Sequence, residues 1–389
     1  MSDIKFLNKL YKSALKSVSS SSFLPKNIEL LDNGIRVYND IKYFESFNKL
    51  YIFSVGKAGL EMAKVCEDIL GDYIYKGVAV SNQKVTSEKK SLATITHFRS
   101  THPVVSKKSI IAADALIETV QEMRSSDFFI FCLSGGASAL IEKPIDGLHL
   151  SDFQKISQAL LVSGIDIKAL NTLRKAISQI KGGKLAQMAK ADGVVLLLSD
   201  VIGDDPKTIG SAPMYSPRFP HHIVANNQIA LQNAAKTAKR RVKKVTIVTN
   251  SLDMPSKKAA NFIAKKIAQF DKKHKSFCLL FGGETTTVPK GKGRGGRNQE
   301  LALRLLLKGC VKEKISILCA GSDGIDGNSL ATGAFLDSKI YKRMQKKSLN
   351  PKAYLKKSDS YSFFKSLGYD LTTGVTGTNV MDFIIIVKQ

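Results

Sequence analysis

Two glycine-rich segments of the chain carry cations that could bind phosphate. Lys57 lies in Gly56-Lys57-Ala58-Gly59, and Arg297 lies in the run GKGRGGRNQE at 291–300, with Arg294 as a third candidate. Glycine lets backbone amides approach an oxyanion closely, and arginine supplies planar donors that match phosphate or carboxylate. A helix beginning near Gln299 would point its positive end at the bound group. The two segments predict anion binding, and a solvated basic turn is the alternative for 291–300.

Four aspartates follow predicted strands and could hold a metal ion or accept a proton. Asp200, Asp204 and Asp205 follow one strand, and Asp323 follows another. Phosphoryl transfer needs acids that hold magnesium in addition to cations that neutralise the transferred group. Asp204 and Asp205 are equally well explained as turn formers before Pro206. We therefore predict metal binding by Asp200, Asp204 and Asp323, with Asp200 or Asp323 as the general base.

Short apolar runs alternate with helical patterns along most of the chain, which is typical of a doubly wound parallel sheet. The predicted strands are 50–55, 77–81, 94–98, 128–133, 194–198 and 245–248, and the predicted helices include 60–70, 110–123 and 256–270. Later strands at 277–281, 285–288, 315–320 and 383–387 are separated by glycine-rich loops. The fold class is therefore α/β, a Rossmann-like three-layer domain with a mainly parallel sheet plus a smaller α/β domain with a mixed sheet.

Five of these strands end in glycines next to a polar or charged residue. The segments that follow them are GKAG at 56–59, SGGAS at 134–138, SDVIGDDP at 199–206, GGE at 282–284 and GSDG at 321–324. Ligands of open α/β sheets bind beyond the carboxyl ends of the strands. Five such ends in one chain predict a binding site rather than a set of ordinary turns.

The composition is that of a globular protein with an excess of positive charge. The 389 residues are 43% hydrophobic, and 59 Lys plus Arg against 33 Asp plus Glu give a net charge of +26. Lysines crowd into predicted helix faces without interleaved aromatic residues, which disfavours nucleic-acid binding. The five cysteines show no C-x-x-C pairing and lie mostly in apolar runs, and the segment 1–17 is an amphipathic helix without a signal-peptide core. We expect a cytoplasmic, soluble protein that binds neither nucleic acid nor membrane, with a homodimer left open.

Several standard signatures are absent from the sequence. It has no G-x-x-x-x-G-K-[ST], no G-x-G-x-x-G after the first strand and no G-x-S-x-G around Ser134, and its six histidines lack metal-ligand spacing. A P-loop enzyme is thus excluded, and dinucleotide-binding and serine-hydrolase interpretations are weakened.

Several motifs follow one another along the chain, namely VGKAG, LSGGASAL, LNTLRKAISQIKGGKLA, LLSDVIGDDP, GGETTTV with GKGRGGRNQE, AGSDGIDG and TGVTGTNVMD. This ordered set resembles the glycerate 2-kinases, whose carboxyl-terminal domain is called MOFRL. The resemblance implies an ATP- and Mg²⁺-dependent kinase that converts D-glycerate to 2-phosphoglycerate in a cleft between two domains. We place these domains at 1–245, Rossmann-like, and 246–389, MOFRL-type, with the boundary between Arg240 and Lys275.

The same resemblance selects site residues. Lys57 and Arg297 become the leading catalytic candidates, together with Asp200 and Asp323. The glycerate carboxylate would bind to loop amides or to one of the arginines. The predicted substrate- or nucleotide-binding residues are Gly56, Ser134, Gly135, Gly136, Ser138, Asn171, Arg174, Lys175, Glu284, Asn298, Glu300, Thr378 and Asn379.

Some positions depart from the family pattern. Ala176 stands where the family commonly has histidine, and Ser106 stands where the H-P-x-P-D run has aspartate. If that histidine contacts substrate in the family, we expect a changed acceptor preference here; if it only packs the helix, nothing follows for the substrate. Two alternatives remain open: a hydroxypyruvate or tartronate reductase, which the missing dinucleotide fingerprint disfavours, and a non-enzymatic anion- or nucleic-acid-binding protein.

Overall fold

The computed structural model of the chain describes residues 3–84, 92–162 and 167–389, and the side chains at 161, 162, 167, 168, 170 and 171 are also left undescribed. The chain forms two compact units. The first unit is Ser20–Val224, and the second unit combines Met1–Ser19 with Ala225–Gln389.

Helices and strands are numbered in chain order over the described residues. The helices are α1 Asp3–Ser17, α2 Ser20–Phe23, α3 Gly59–Leu70, α4 Lys107–Glu122, α5 Ala137–Leu140, α6 Leu150–Val162, α7 Ile167–Ala176, α8 Lys184–Met188, α9 Asn227–Ala238, α10 Ser256–Lys273, α11 Arg297–Leu307, α12 Lys339–Lys346, α13 Pro351–Lys356 and α14 Ser360–Leu367. The strands are β1 Ile28–Leu31, β2 Gly34–Val37, β3 Asp40–Tyr43, β4 Leu50–Val55, β5 Ile74–Ser81, β6 Ile95–Arg99, β7 Phe128–Ser134, β8 Asp192–Leu198, β9 His221–Ala225, β10 Val245–Leu252, β11 Phe277–Gly283, β12 Ile315–Gly321, β13 Gly333–Leu336, β14 Asp370–Leu371 and β15 Asp382–Lys388.

A six-stranded sheet in the order β6-β5-β4-β7-β8-β9 forms the centre of the first unit. The pairs from β6 through β8 are all parallel. Every residue of β4 and β7 is buried, because both faces of a central parallel strand are covered. Phe53 and Val55 pack with Leu116 of α4 in one core cluster, whereas the Ser54 hydroxyl donates to the carbonyl of Gly59 at the start of α3. This confirms the predicted Rossmann-like domain.

The second unit contains a mixed six-stranded sheet in the order β10-β11-β15-β12-β13-β14. Strand β15 lies in its interior and pairs antiparallel with both β11 and β12. Its first residue, Asp382, is therefore opposite Gly283 at the end of β11 and opposite Gly321 at the end of β12. The predicted mixed sheet is confirmed.

The compact units divide the chain differently from the predicted domains 1–245 and 246–389. Helix α1 joins the second unit, because Tyr11 donates to the carbonyl of Gly321 at 2.7 Å and Ser13 binds Asn233 and Thr237 of α9. Residues 225–245 join it as well, with Asn227 of α9 donating to the carbonyls of Val380 and Asp382.

One detail of the predicted elements is wrong. Residues 285–288 form no strand: Thr286 makes a single bridge to Pro255, and Val288 is 79% exposed, so the β-branched residues have no neighbouring strand to pair with. Helix α11 begins at Arg297, close to the predicted start near Gln299. The antiparallel sheet β1-β2-β3 was not predicted.

All five cysteines are buried free thiols, as predicted for core residues. No helix within the described part of the chain combines the length and the apolarity that crossing a membrane requires.

Candidate active site

The turn after β4 presents Lys57 and is fixed by the neighbouring strand β7. The Lys57 amide donates to the carbonyl of Gly135 at 2.9 Å, and the Ala58 amide donates to the Ser134 hydroxyl at 3.1 Å. Gly56 has φ +134°, and a β-carbon there would lie 2.0 Å from the Ser134 oxygen, so the close approach requires glycine. The buried Ser134 thus positions the Lys57 turn, a role different from the predicted ligand contact.

Three side chains lie against Gly135 and Gly136, the glycine pair that follows β7 at this edge of the sheet. A β-carbon on Gly135 would lie 1.6 Å from Oδ2 of Asp200, and one on Gly136 would lie 3.0 Å from Cγ of Lys57 and 3.1 Å from Cδ2 of His102. Lys57, Asp200 and His102 therefore surround the Gly135–Gly136 backbone. Of the predicted residues, Gly56, Gly135, Gly136, Lys57 and Asp200 are brought together here.

Helix α7 carries the next predicted group. Arg174 is half-buried and lines a cavity of about 740 Å³, which is also lined by Ser138, whose hydroxyl contacts that of Ser211. Burial lowers the pKa of Arg174, whereas the nearby negative charge of Glu142 raises it. Lys175 instead donates to the carbonyl of Lys207 at 2.9 Å. The side chain of Asn171 lies outside the described residues.

The aspartates after β8 divide into two kinds. Asp200 is half-buried beside Gly135, whereas Asp205 accepts from the Lys207 amide at 2.9 Å and forms a turn. Asp204 is half-buried with φ +52°, the left-handed conformation that aspartate tolerates in turns. In the described residues, no group of three or more His, Cys, Asp or Glu side chains could hold a metal ion.

Arg297 is the first residue of α11, and two carboxylates hold its guanidinium. Its Nε and Nη2 donate to the two oxygens of Asp382 at 2.6 and 3.0 Å, and its Nη1 lies 2.8 Å from Oε1 of Glu284. Burial alone would lower the pKa of Arg297, but Asp382 and Glu284 raise it, with a net increase. Because β15 lies between β11 and β12, Asp382 reaches Arg297 from the centre of the sheet.

Asp326 caps the amino terminus of α11. Its carboxylate accepts from the amides of Asn298 at 3.0 Å and Gln299 at 2.8 Å. Burial raises the pKa of Asp326 to about 7, although the two amides lower it. A carboxylate of the same chain therefore occupies the amides of Asn298 and Gln299 at the amino terminus of α11, the end predicted to face the bound group.

The glycine-arginine run is also tied to its own chain. The amides of Arg294 and Gly295 donate to side chains of Asp359 and Asn328, at 2.9 and 2.8 Å. The guanidinium of Arg294 lies 4.8 Å from the ring centre of Tyr361. A cavity of about 520 Å³ remains beside this run, lined among others by Glu284, Thr285, Lys292, Arg297, Glu300 and Asn328.

The remaining predicted residues of the second unit differ in position. Glu300 is buried and accepts from Ser256 and Arg304, and Thr378 is buried with its hydroxyl donating to the carbonyl of Val18. Asn298 is 1% exposed, with a side-chain oxygen that lacks a hydrogen bond in the described residues. Asn379 accepts from the Ser322 hydroxyl at 3.5 Å. Asp323 is half-buried. Its carboxylate and that of Asp382 both lie close to the position that a β-carbon on Gly321 would occupy.

Three residues with clear positioning roles were missed from the sequence. Asp382 and Asp326 hold Arg297 and its helix, and Glu142 forms a buried ion pair with Lys181. Asp382 ends the TGVTGTNVMD motif and Asp326 lies in AGSDGIDG, so both were within quoted motifs. Their partners, however, are far away in the sequence.

Two family models match most of the chain, one after the other. Residues 6–245 match a family model described as "Domain of unknown function (DUF4147)", and residues 277–382 match the MOFRL family.

Named relatives are similar over most of their length. The chain is 32% identical to a glycerate 2-kinase of Pyrococcus horikoshii over 97% of this chain and 96% of that protein. It is 35% identical to a D-glycerate 2-kinase of Thermotoga maritima over 87% of this chain and 91% of that protein. A solved structure of a glycerate kinase from Thermotoga maritima superposes with a TM-score of 0.86 at 31% identity, covering 99% of both chains.

Proposed function

This chain belongs to the glycerate 2-kinase family, and on that premise we propose that it transfers the γ-phosphoryl group of ATP to the 2-hydroxyl of D-glycerate. The observation that carries the proposal is the similarity to named glycerate 2-kinases over nearly the whole chain. The Lys57 turn supports it, because a cation beside paired glycines at a strand end suits a phosphate group.

In the proposed reaction, the glycerate hydroxyl oxygen forms a bond to the γ-phosphorus as the bond from that phosphorus to ADP breaks. The hydroxyl proton passes to a carboxylate, Asp200 or Asp323. Lys57 and Arg297 neutralise negative charge that develops on the transferred group. Asp382 and Glu284 hold Arg297 in one orientation, so that its position does not depend on the ligand.

Mg²⁺ bound with ATP would supply further neutralisation of phosphate charge. A protein contributes only one or two carboxylates to such an ion, because phosphate oxygens and water supply the other ligands. The half-buried Asp200 is an oxygen donor of this kind at the edge that carries Lys57, so the residues present fit the ion. Asp204 and Asp323 stay candidates for the same role.

A coupled assay tests the proposal directly. We expect ADP formation that depends on glycerate, and phosphorus NMR should show the product phosphorylated at the 2-position. Nicotinamide oxidation with hydroxypyruvate, without ADP formation, would instead support the reductase. Salt-dependent duplex binding that survives Arg297→Ala would support the nucleic-acid-binding alternative.

We further propose a cytoplasmic enzyme with small-molecule partners, ATP and glycerate. Cell fractionation checks the location, and light scattering after size exclusion decides between a monomer and a homodimer. Recovery of the protein in the membrane fraction would contradict the proposed location.

A further inference from the structure

The cavity of about 740 Å³ in the first unit has an unusual charge balance. Its lining includes His102, Gly136, Ser138, Phe153, Arg174 and Lys181. Arg174 and Lys181 carry the only permanent charges in the lining, as far as the chain is described. The lining residues alone therefore make the cavity positively charged. Residues that do not line it can still neutralise part of that charge.

Lys181 is compensated. Its side chain is 3% exposed and forms an ion pair with the carboxylate of Glu142, whose side chain is fully buried. The other oxygen of Glu142 accepts from the Ser178 hydroxyl at 2.6 Å. Burial lowers the pKa of Lys181, and Glu142 opposes this effect. The pair as a whole adds no net charge to the cavity.

Arg174 is not compensated in this way. Among the described residues its guanidinium makes no hydrogen bond and no ion pair, although it is half-buried and Glu142 is near enough to raise its pKa. Removing a guanidinium from water without a partner is unfavourable, and a carboxylate offers two acceptors that match its donors. One unmatched positive charge therefore remains in the cavity.

The same cavity reaches the Lys57 turn. Gly136 belongs to its wall, and a β-carbon on Gly136 would lie 3.0 Å from Cγ of Lys57. A small acid bound at Arg174 would thus occupy the cavity whose wall carries the turn proposed to handle phosphate.

We propose that this cavity binds the phosphate acceptor, the hydroxy acid. Arg174 binds its carboxylate, and because Glu142 neutralises Lys181, the cavity has a net charge of one positive unit. The inference rests on the proposed kinase function and extends it by naming the residues that select the substrate. Glu142 and Lys181 act as positioning residues, and the site selects hydroxy acids with one carboxylate over dicarboxylates such as tartronate.

Calorimetric binding tests the proposal without requiring catalysis. The probes are D-glycerate, tartronate and the neutral amide of glycerate, each with and without a non-hydrolysable ATP analogue. Arg174→Gln should weaken glycerate binding about 10- to 100-fold, the loss of one charge-assisted pair, and should leave the amide unchanged. Lys155→Ala is the matched control, because it removes a cation whose side chain is 78% exposed on neighbouring α6, and it should bind glycerate like wild type.

Substitutions of the buried pair test the limit on charge. Glu142→Gln leaves two positive charges and should shift the glycerate-to-tartronate ratio of binding constants toward tartronate by about tenfold or more. The double variant Glu142→Gln with Lys181→Gln restores one positive charge and should return the preference for glycerate. Circular dichroism identifies variants that fail to fold, and the Arg174 series does not depend on them.

Steady-state kinetics separate this inference from the kinase proposal. Arg174→Gln should raise KM for glycerate about tenfold or more while kcat and KM for ATP change little. Arg174-dependent glycerate binding without ADP formation would refute the kinase and leave the carboxylate site standing. Normal ADP formation with glycerate binding unaffected by Arg174→Gln, or an unshifted ratio in folded Glu142→Gln, overturns the inference.

Discussion

The two units hold their principal cations in different ways. Lys57 in the first unit is positioned through its backbone, since its amide donates to Gly135 and the next amide donates to Ser134. Arg297 in the second unit is positioned through its side chain, by Asp382 and Glu284. The backbone contacts that fix the Lys57 turn survive truncation of the Lys57 side chain, whereas truncation of Arg297 removes the hydrogen-bonding partner of the buried Asp382 carboxylate.

The largest expected effects come from substituting these two cations. Lys57→Ala and Arg297→Ala should each lower kcat by about 10²- to 10³-fold, the usual cost of one donor to developing charge. Arg297→Ala should also destabilise the protein, by about 2 kcal/mol, because Asp382, which is 1% exposed, loses its partner. Kinetics and urea unfolding of both variants measure the contrast.

The destabilisation of Lys57→Ala should be smaller than that of Arg297→Ala, because the backbone hydrogen bonds that fix the Lys57 turn remain in the variant. Equal destabilisation of the two variants would contradict the proposed difference between a cation held through its backbone and one held through its side chain. The double variant adds a test, because losses in kcat that are clearly less than additive indicate that both cations act on one step.

The glycine at 135 offers a smaller effect in the first unit. Gly135→Ala places a β-carbon 1.6 Å from Oδ2 of Asp200, so the carboxylate or the loop must move. We expect kcat to fall about 10- to 100-fold from misplacement of Asp200. Gly147→Ala is the comparison variant, because a β-carbon there meets nothing within 4 Å; any loss it shows comes from its φ of +80° and not from a displaced side chain. Similar activity of both variants would contradict a role for the Asp200 position.

The cap of α11 in the second unit should respond to pH. Burial raises the pKa of Asp326 from 3.8 to about 7, so the stability contributed by its protonation is complete below its ordinary pKa and is lost as the pH rises through about 7. Asp326→Asn should remove this decline, which is on the order of 2 kcal/mol between about pH 4.5 and pH 8. Urea unfolding across that range checks it, and parallel profiles for variant and wild type would refute the assignment.

The smallest effect should come from Arg294, the other arginine of the glycine-rich run. Its guanidinium contacts Tyr361 and it is exposed, so Arg294→Ala should cost less than about 1 kcal/mol of stability and change kcat less than about threefold. The variant is also the matched control for Arg297→Ala. A loss of activity as large as that of Arg297→Ala would show that the run binds the ligand as a whole.

Residues near a strand end were predictable from the sequence, because an apolar run and the turn that follows it are local. Lys57, Gly135 and Asp200 were found in this way and lie together in the first unit. Asp382 could not be found in this way. It is 85 residues from Arg297, and its position depends on β15 lying in the middle of the sheet.

Other contacts were hidden for related reasons. Glu142 and Lys181 are 39 residues apart and read from the sequence as ordinary charged residues, and only their burial shows that they form a pair. The segment 285–288 has the residue types of a strand but no partner strand, which only the sheet topology shows.

The order of synthesis gives the placement of α1 a further consequence. Tyr11 donates to Gly321, 310 residues later, and the interior strand β15 follows every other strand of its sheet. The first unit comes from one continuous stretch, so it can fold while the ribosome is still translating residues beyond 224. The second unit cannot close its sheet until residues 382–388 have emerged, and until then Tyr11 of α1 lacks its edge-to-face contact with Phe383 of β15. Helix α1 thus precedes the first unit in synthesis but completes its own contacts only after the sheet of the second unit has closed.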